Sequence, residues 1–128
     1  YINDTIAQSR RQGFVSTLLG RRRYIPEINS RNQNIRQNAE RQSINMPIQG
    51  TAADMIKLAM IKIDTAFRKN KFHSAMVLQV HDELVFEVQE NELDAIKDLV
   101  AENMRNALPL SVPVELEIGA GANWLDAH

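Results

Sequence analysis

Three ionisable residues stand side by side between two runs of strand-forming residues. In the stretch LQVHDELVFE, residues 78–87, the three are His81, Asp82 and Glu83. Two carboxylates offer the hard oxygen ligands that Mg²⁺ prefers, and the imidazole adds a hydrogen-bonding neighbour. Adjacent side chains on a strand point to opposite faces, so both acids cannot be buried in one core without a large cost. We therefore predict a tight turn here, and the residue types alone fit a polar hairpin tip as well as a metal site.

A complete phosphoryl-transfer site is not predicted within this chain. Such a site holds two metal ions about 3.5–4 Å apart and needs at least two shared carboxylates. Asp82 and Glu83 are expected to diverge, and no Gly-rich phosphate loop followed by Lys and Ser or Thr occurs in the sequence. Metal chemistry at this turn would therefore need a second acid from elsewhere.

A second candidate site is a series of hydrogen-bond donors at four-residue spacing. Arg41, Asn45 and Gln49 would share one face of an unbroken helix. The minor groove presents acceptors at every base pair, so such donors can hold a duplex without reading its sequence. Taken alone, the pattern is more simply explained by an ordinary exposed polar face.

Length and composition fit one globular domain or one lobe of a larger protein. The 128 residues include no Cys, which excludes disulfides and thiolate metal sites and fits a cytosolic protein. No apolar run approaches the roughly 18–20 residues of a membrane helix, so no membrane partner is expected. The chain starts without Met, in what reads as the middle of a helix, which suggests a piece of a longer protein.

The small net charge of −1 conceals an asymmetry along the chain. Residues 1–50 contain eight Arg, no Lys and three acids, whereas residues 51–128 contain seven basic residues and thirteen acids. A basic half of this kind suits a phosphate-rich partner, and a salt-bridged surface explains it equally well.

The elements that position these residues follow from periodicity and from Gly and Pro. Pro47 predicts a helix break at Met46 and the start of a new helix. The predicted elements are a helix over 1–12 stopped at Gly13, a hairpin over 14–25, helices over 30–45 and 47–70, strands over 75–80 and 83–89, a helix over 90–108 and a strand over 112–119. The predicted fold class is α+β, in which the 75–89 hairpin and the C-terminal strand form a small antiparallel sheet backed by helices.

Four stretches together resemble family A DNA polymerases, most closely the bacterial members. LQVHDELVFE resembles motif C of that family, and AERQSINMPIQGTAADMIK, TLLGRRRYIPEI and GANWLDAH are similar to three other blocks of it, in the family's order. The resemblance covers essentially the whole chain. It implies the C-terminal segment of the polymerase domain, with residues 1–50 as a basic, fingers-side and DNA-contacting part and residues 51–128 as palm with motif C.

The resemblance also implies roles for individual residues. Asp82 matches the motif C aspartate that holds catalytic Mg²⁺, of which the complete enzyme has two ions, and Glu83 matches its acidic neighbour in the same catalytic and metal site. For Arg21 and Arg22, folding contacts are as reasonable as DNA phosphate contacts. The implied DNA-binding residues are Arg41, Asn45, Gln49, His81, Arg21 and Arg22.

The implied function is that of a palm segment in a DNA-directed DNA polymerase of replication or repair. Its partners would be primer–template DNA, a dNTP in the complete enzyme and the rest of the polymerase chain. The family's other metal aspartate and its nucleotide-binding fingers helix are absent from the sequence, so the isolated segment is expected to be inactive. Two alternatives are a Mg²⁺-dependent nuclease or phosphatase and a non-catalytic nucleic-acid-binding module.

Overall fold

A computed structural model describes all 128 residues as two compact units, Tyr1–Asp54 and Met55–His128. Helices combine with two separate two-stranded antiparallel sheets, which confirms the α+β class. None of the helices is both long and apolar enough to cross a membrane. The elements are α1 (Ile2–Gln12), β1 (Phe14–Ser16), β2 (Arg22–Tyr24), α2 (Gln33–Lys69), β3 (Ala75–Val80), β4 (Glu83–Glu87), α3 (Leu93–Arg105) and α4 (Trp124–Ala127), with short 3₁₀ turns at Pro26–Asn29 and Glu90–Glu92.

The first unit begins as the sequence predicts. Helix α1 ends at Gly13, whose φ of 79° is left-handed and whose N–H bonds to the carbonyl of Ser9. The hairpin β1–β2 follows, in antiparallel register from Phe14 opposite Tyr24 to Ser16 opposite Arg22. Its core is a cluster of buried apolar residues: Val15, Ile25, Ile28, Ala39 and Met46.

Helix α2 is continuous through Pro47, so the predicted break at Met46 is wrong. Proline has no N–H, and the carbonyl of Ser43 therefore lacks its usual partner one turn later. One missing bond in a helix of 37 residues is offset by packing on the same stretch. Met46 is buried in the core of the first unit, and Gly50 is buried against the hairpin turn.

The second unit is a hairpin packed with helices. Strands β3 and β4 pair antiparallel, with an irregularity between Met76 and Leu78. Ile96 and Val100 of α3 belong to the buried core. The partly buried side chains of Leu84 and Phe86 from β4 pack against it. The buried cluster comprises Ala59, Ile63, Phe67, Ile96, Val100 and Ala107.

The predicted strand over 112–119 does not form. Val114 and Leu116 are half-buried and Glu115 and Glu117 are exposed, but the next apolar residue, Ile118, is 43% exposed, so the alternation holds only over 114–117. Alternation specifies which side is buried but not which edge supplies backbone hydrogen bonds. The β3–β4 sheet remains two-stranded, and the segment runs without a partner.

Candidate functional site

The β3–β4 turn places the three ionisable residues as the spacing predicts. Val80 pairs with Glu83, so His81 and Asp82 form a two-residue turn. His81 has a φ of 55°, a left-handed conformation that is uncommon outside glycine. Lys71, at the turn after α2, has a similar φ of 54°, so this conformation is a property of tight turns and does not by itself mark a site. The turn presents Asp82 at an exposed tip.

Glu83 is held by a residue that the sequence does not single out. The Oε1 atom of Glu83 lies 2.8 Å from Nε2 of His128, across 45 residues of sequence. The Nδ1 atom of the same ring lies 2.8 Å from the carbonyl oxygen of Trp124. A carbonyl oxygen only accepts, so Nδ1 donates to Trp124, and in the protonated ring Nε2 donates to the Glu83 carboxylate. These contacts, with the Trp124 carbonyl contributing most and Glu83 next, raise the pKa of His128 above its ordinary value.

Close backbone packing brings His128 to this position. A Cβ atom at Gly119 would overlap the carbonyl oxygen of Ala127, and one at Gly121 would lie 2.7 Å from the carbonyl carbon of Asp126. Only glycine permits this approach of the 119–121 segment to α4. The side chain of Asn123 caps α4 by accepting from the N–H of Asp126 at 2.9 Å.

The turn fits a metal ion only as part of a larger site. Asp82 makes no hydrogen bond or ion pair within the chain, whereas Glu83 is paired with His128. No group of three or more His, Asp or Glu side chains among the 128 residues could hold a metal ion. Mg²⁺ takes six oxygen ligands, several of them water, and one or two from protein carboxylates. Asp82 therefore suits a shared site whose other acid comes from outside this chain.

The donor series on α2 forms one exposed face. Because α2 is unbroken, Arg41, Asn45 and Gln49 share a face that extends about 12 Å along the axis. All three residues are exposed. The face presents one guanidinium and two amides, which is the chemistry that base-edge acceptors and phosphates accept.

The neighbouring arginines Arg21 and Arg22 both make contacts within the first unit. Arg21 donates from Nε to Asp54 at 2.8 Å and from Nη2 to the carbonyl of Gly50 at 3.2 Å. The guanidinium of Arg22 lies 4.4 Å from the centre of the Phe14 ring, a cation–π contact. Arg21 thus has the folding role that the sequence left open, and a DNA contact by either residue remains a prediction.

Comparison with known proteins identifies the class to which this fold and these residues belong. Residues 1–126 match the model of DNA polymerase family A. The chain belongs to DNA polymerase family A.

Individual relatives are all much longer than this chain. The chain is 51% identical over 124 residues to DNA polymerase I of Mycobacterium leprae, which covers 97% of the chain and 14% of the relative. It is 49% identical over 127 residues to the thermostable DNA polymerase I of Thermus filiformis, covering 99% of the chain and 15% of the relative. The chain therefore spans about one seventh of the length of the curated relatives that it matches.

A solved structure matches the fold closely. The polymerase domain of Pol1 from Mycobacterium smegmatis, in complex with DNA primer-template and dNTP, superimposes with a TM-score of 0.96 at 50% identity. The match covers 99% of this chain and 22% of that one.

Proposed function

We propose that this chain is the segment of a DNA-directed DNA polymerase that supplies one metal-binding aspartate and part of the primer–template contact surface. The observation that carries the proposal is the near-complete structural match to a polymerase domain solved with DNA primer-template and dNTP. The complete enzyme would act in replication or repair, with residues 1–50 on the fingers side and residues 51–128 in the palm.

In this proposal Asp82 binds Mg²⁺ together with a carboxylate outside the chain. The exposed tip and the absence of an internal partner leave its oxygens available for that purpose. Two Mg²⁺ ions would serve the complete enzyme, lowering the pKa of the primer 3′-hydroxyl and neutralising charge on the phosphate in the transition state. Glu83 supports the site from the paired strand position, and His81 lies beside the primer terminus.

The α2 face would hold the duplex. Arg41, Asn45 and Gln49 donate to minor-groove acceptors that every base pair shares, so the polymerase can act on any sequence. Arg22, with Arg21 as a weaker candidate because of its Asp54 contact, would add phosphate contacts.

The two alternatives are less well supported. A self-contained nuclease or phosphatase needs convergent carboxylates, and no group of three or more His, Asp or Glu side chains among the 128 residues could hold a metal ion. A non-catalytic nucleic-acid-binding module would use the α2 face without the acid turn, and it would bind DNA with no dependence on metal.

Replacing the aspartate in the complete enzyme tests the proposal. Asp82→Ala should lower the single-turnover incorporation rate by more than about tenfold, since the loss of a transition-state electrostatic contact costs several kcal/mol. The Kd for primer–template should stay within about threefold, because Mg²⁺ contributes chiefly in the transition state. Glu83→Ala should have a smaller effect on the rate.

Asp98→Ala provides a matched control, since it removes an exposed carboxylate from α3. It should leave both quantities unchanged. Retention of more than about a tenth of the wild-type rate by Asp82→Ala would contradict the assignment.

A further inference from the structure

We propose that His128 is a positioning residue for Glu83, holding its carboxylate toward α4 so that Asp82 alone faces the cation. The inference rests on the proposed function of the turn. His128 is not placed in contact with substrate or metal, and it acts only through Glu83.

The geometry fixes the imidazole ring at both nitrogens. Nδ1 lies 2.8 Å from the backbone carbonyl of Trp124, and Nε2 lies 2.8 Å from Oε1 of Glu83. A backbone acceptor at one nitrogen orients the ring, so the other N–H points in a defined direction. Partners of this kind position the acidic and imidazole groups of metal sites.

The segment that carries His128 is built to hold this position. Gly119 and Gly121 allow α4 to pack at a distance that any side chain would prevent. Asn123 caps the helix, and the Trp124 ring lies 5.8 Å from the His128 ring. This packing brings the His128 ring to the β3–β4 turn, where Nε2 contacts Oε1 of Glu83.

The contact is suited to orientation rather than to stability. The side chains of His128 and Glu83 are 50% and 45% exposed, and exposed ion pairs contribute little to folding. Two adjacent carboxylates that are both free can bind a divalent cation in more than one arrangement. The 2.8 Å contact of Glu83 with the His128 ring removes one of those arrangements and leaves Asp82 as the available ligand.

The test uses the complete polymerase and separates rate from binding. His128→Ala should lower the single-turnover rate about tenfold and raise the Mg²⁺ concentration for half-maximal rate, as losses of supporting contacts at metal sites do. The Kd for primer–template should change less than about twofold, since positioning residues affect chemistry more than uniform binding. His128→Gln, which keeps one N–H donor of similar reach, should recover part of the rate.

A double-mutant cycle shows whether His128 acts through Glu83. The double variant Glu83→Ala/His128→Ala should be no slower than Glu83→Ala alone, because the partner is already missing. Additive losses, or a loss in primer–template affinity larger than the loss in rate, would overturn the inference, because His128 would then act directly on DNA.

Leu125→Ala is the control for disturbance of α4, since this side chain is 84% exposed in the same helix. It should leave the rate unchanged, and a loss equal to that of His128→Ala would overturn the inference. Asp82→Ala measured in parallel distinguishes failure of this inference about His128 from failure of the proposed function of the turn. If Asp82→Ala abolishes the rate and His128→Ala does not lower it, the inference alone fails, whereas an active Asp82→Ala enzyme contradicts the proposed function. The double-mutant cycle of Glu83 and His128 measures their coupling whatever the result for Asp82→Ala.

Discussion

At the scale of single residues, the two adjacent acids of the β3–β4 turn differ in their surroundings. Glu83 lies 2.8 Å from Nε2 of His128, and Asp82 has no partner within the chain. A carboxylate that already has a hydrogen-bonding partner is less available to a metal ion, and the proposed division of roles rests on this difference in contacts.

Arg41→Ala and Gln49→Ala in the complete enzyme should each weaken primer–template binding, to a similar extent on templates of different sequence. Donors aimed at acceptors common to all base pairs carry no sequence information. Equilibrium titration against several duplexes measures the effect. Arg11→Ala, which removes one exposed positive charge from α1, is the charge-matched control and should weaken binding less. A loss that varies strongly with template sequence would contradict the minor-groove assignment.

Glu92 should give the stability of the second unit a dependence on acid pH. Its carboxylate accepts from the hydroxyl of Ser74 at 2.7 Å and from the backbone N–H groups of Ser74 and His73 at 3.1 Å. The Ser74 hydroxyl is the largest of the contacts that lower the pKa of Glu92 below its ordinary value of 4.5. A lowered folded-state pKa gives stability that is present above pH 4.5 and is lost as the pH falls through the folded-state pKa.

Glu92→Gln should therefore unfold at lower denaturant than the wild type near neutral pH, and the difference should shrink in acid. Urea titrations at a series of pH values measure this. Glu90→Gln, an exposed acid two residues away, is the control and should follow the wild type. A Glu92→Gln difference that is independent of pH would show that the carboxylate charge is not involved.

At the scale of elements, the hairpin β1–β2 is fastened to α2 at one turn. The N–H of Leu18 donates to the hydroxyl of Thr51 at 3.1 Å, and Arg21 reaches the carbonyl of Gly50 and the carboxylate of Asp54. A Cβ at Gly50 would lie 2.7 Å from Cγ2 of Thr17, so the turn and the helix are already in close contact.

Gly50→Ala should loosen this contact, although alanine favours helix by about 1 kcal/mol over glycine. Thr17 is 4% exposed and β-branched, so its methyl group has little freedom to move aside. Hydrogen–deuterium exchange of peptides covering 14–24 should become faster in the complete enzyme. In a Thr17→Ser background, which keeps the hydroxyl and removes the methyl, Gly50→Ala should slow exchange instead. Equal effects in both backgrounds would show that the Thr17 methyl is not the obstacle.

At the scale of the whole molecule, the chain contains two units with separate buried clusters and opposite charge. Residues 1–54 hold eight Arg and four acids, and residues 55–128 hold seven basic residues and twelve acids. The basic unit carries the donor face of α2, and the acidic unit carries Asp82. This charge division fits the proposed function, in which positive charge would serve the nucleic acid and negative charge the metal ions.

The isolated 128-residue chain should incorporate no nucleotide when supplied with Mg²⁺, dNTPs and a primed template. One cation-binding aspartate cannot position two ions, and no group of acids in the chain supplies the remaining ligands. Primer extension with the complete enzyme as positive control measures this. Extension by the isolated chain that disappears in Asp82→Ala would contradict the expectation and would exclude a contaminant.

The sequence by itself determined several local elements and the family. Gly13 ends α1, two β-prone runs separated by His81 and Asp82 form the hairpin, and the apolar spacing of 93–105 gives α3. Each of these features depends on neighbours within a few residues, so periodicity and turn chemistry are enough to predict it. The polymerase resemblance was likewise carried by short contiguous stretches.

Only the tertiary structure decided the continuity of α2, the lack of a partner for 112–119 and the pairing of Glu83 with His128. Pro47 is tolerated because neighbouring residues such as Met46 are buried in the core of the first unit. The sequence next to Pro47 does not show that burial. A strand needs an available edge, and a histidine 45 residues from an acid needs a packed segment to bring it there. Such contacts depend on the summed packing of the whole chain, whereas the local pattern records only which side of an element is buried.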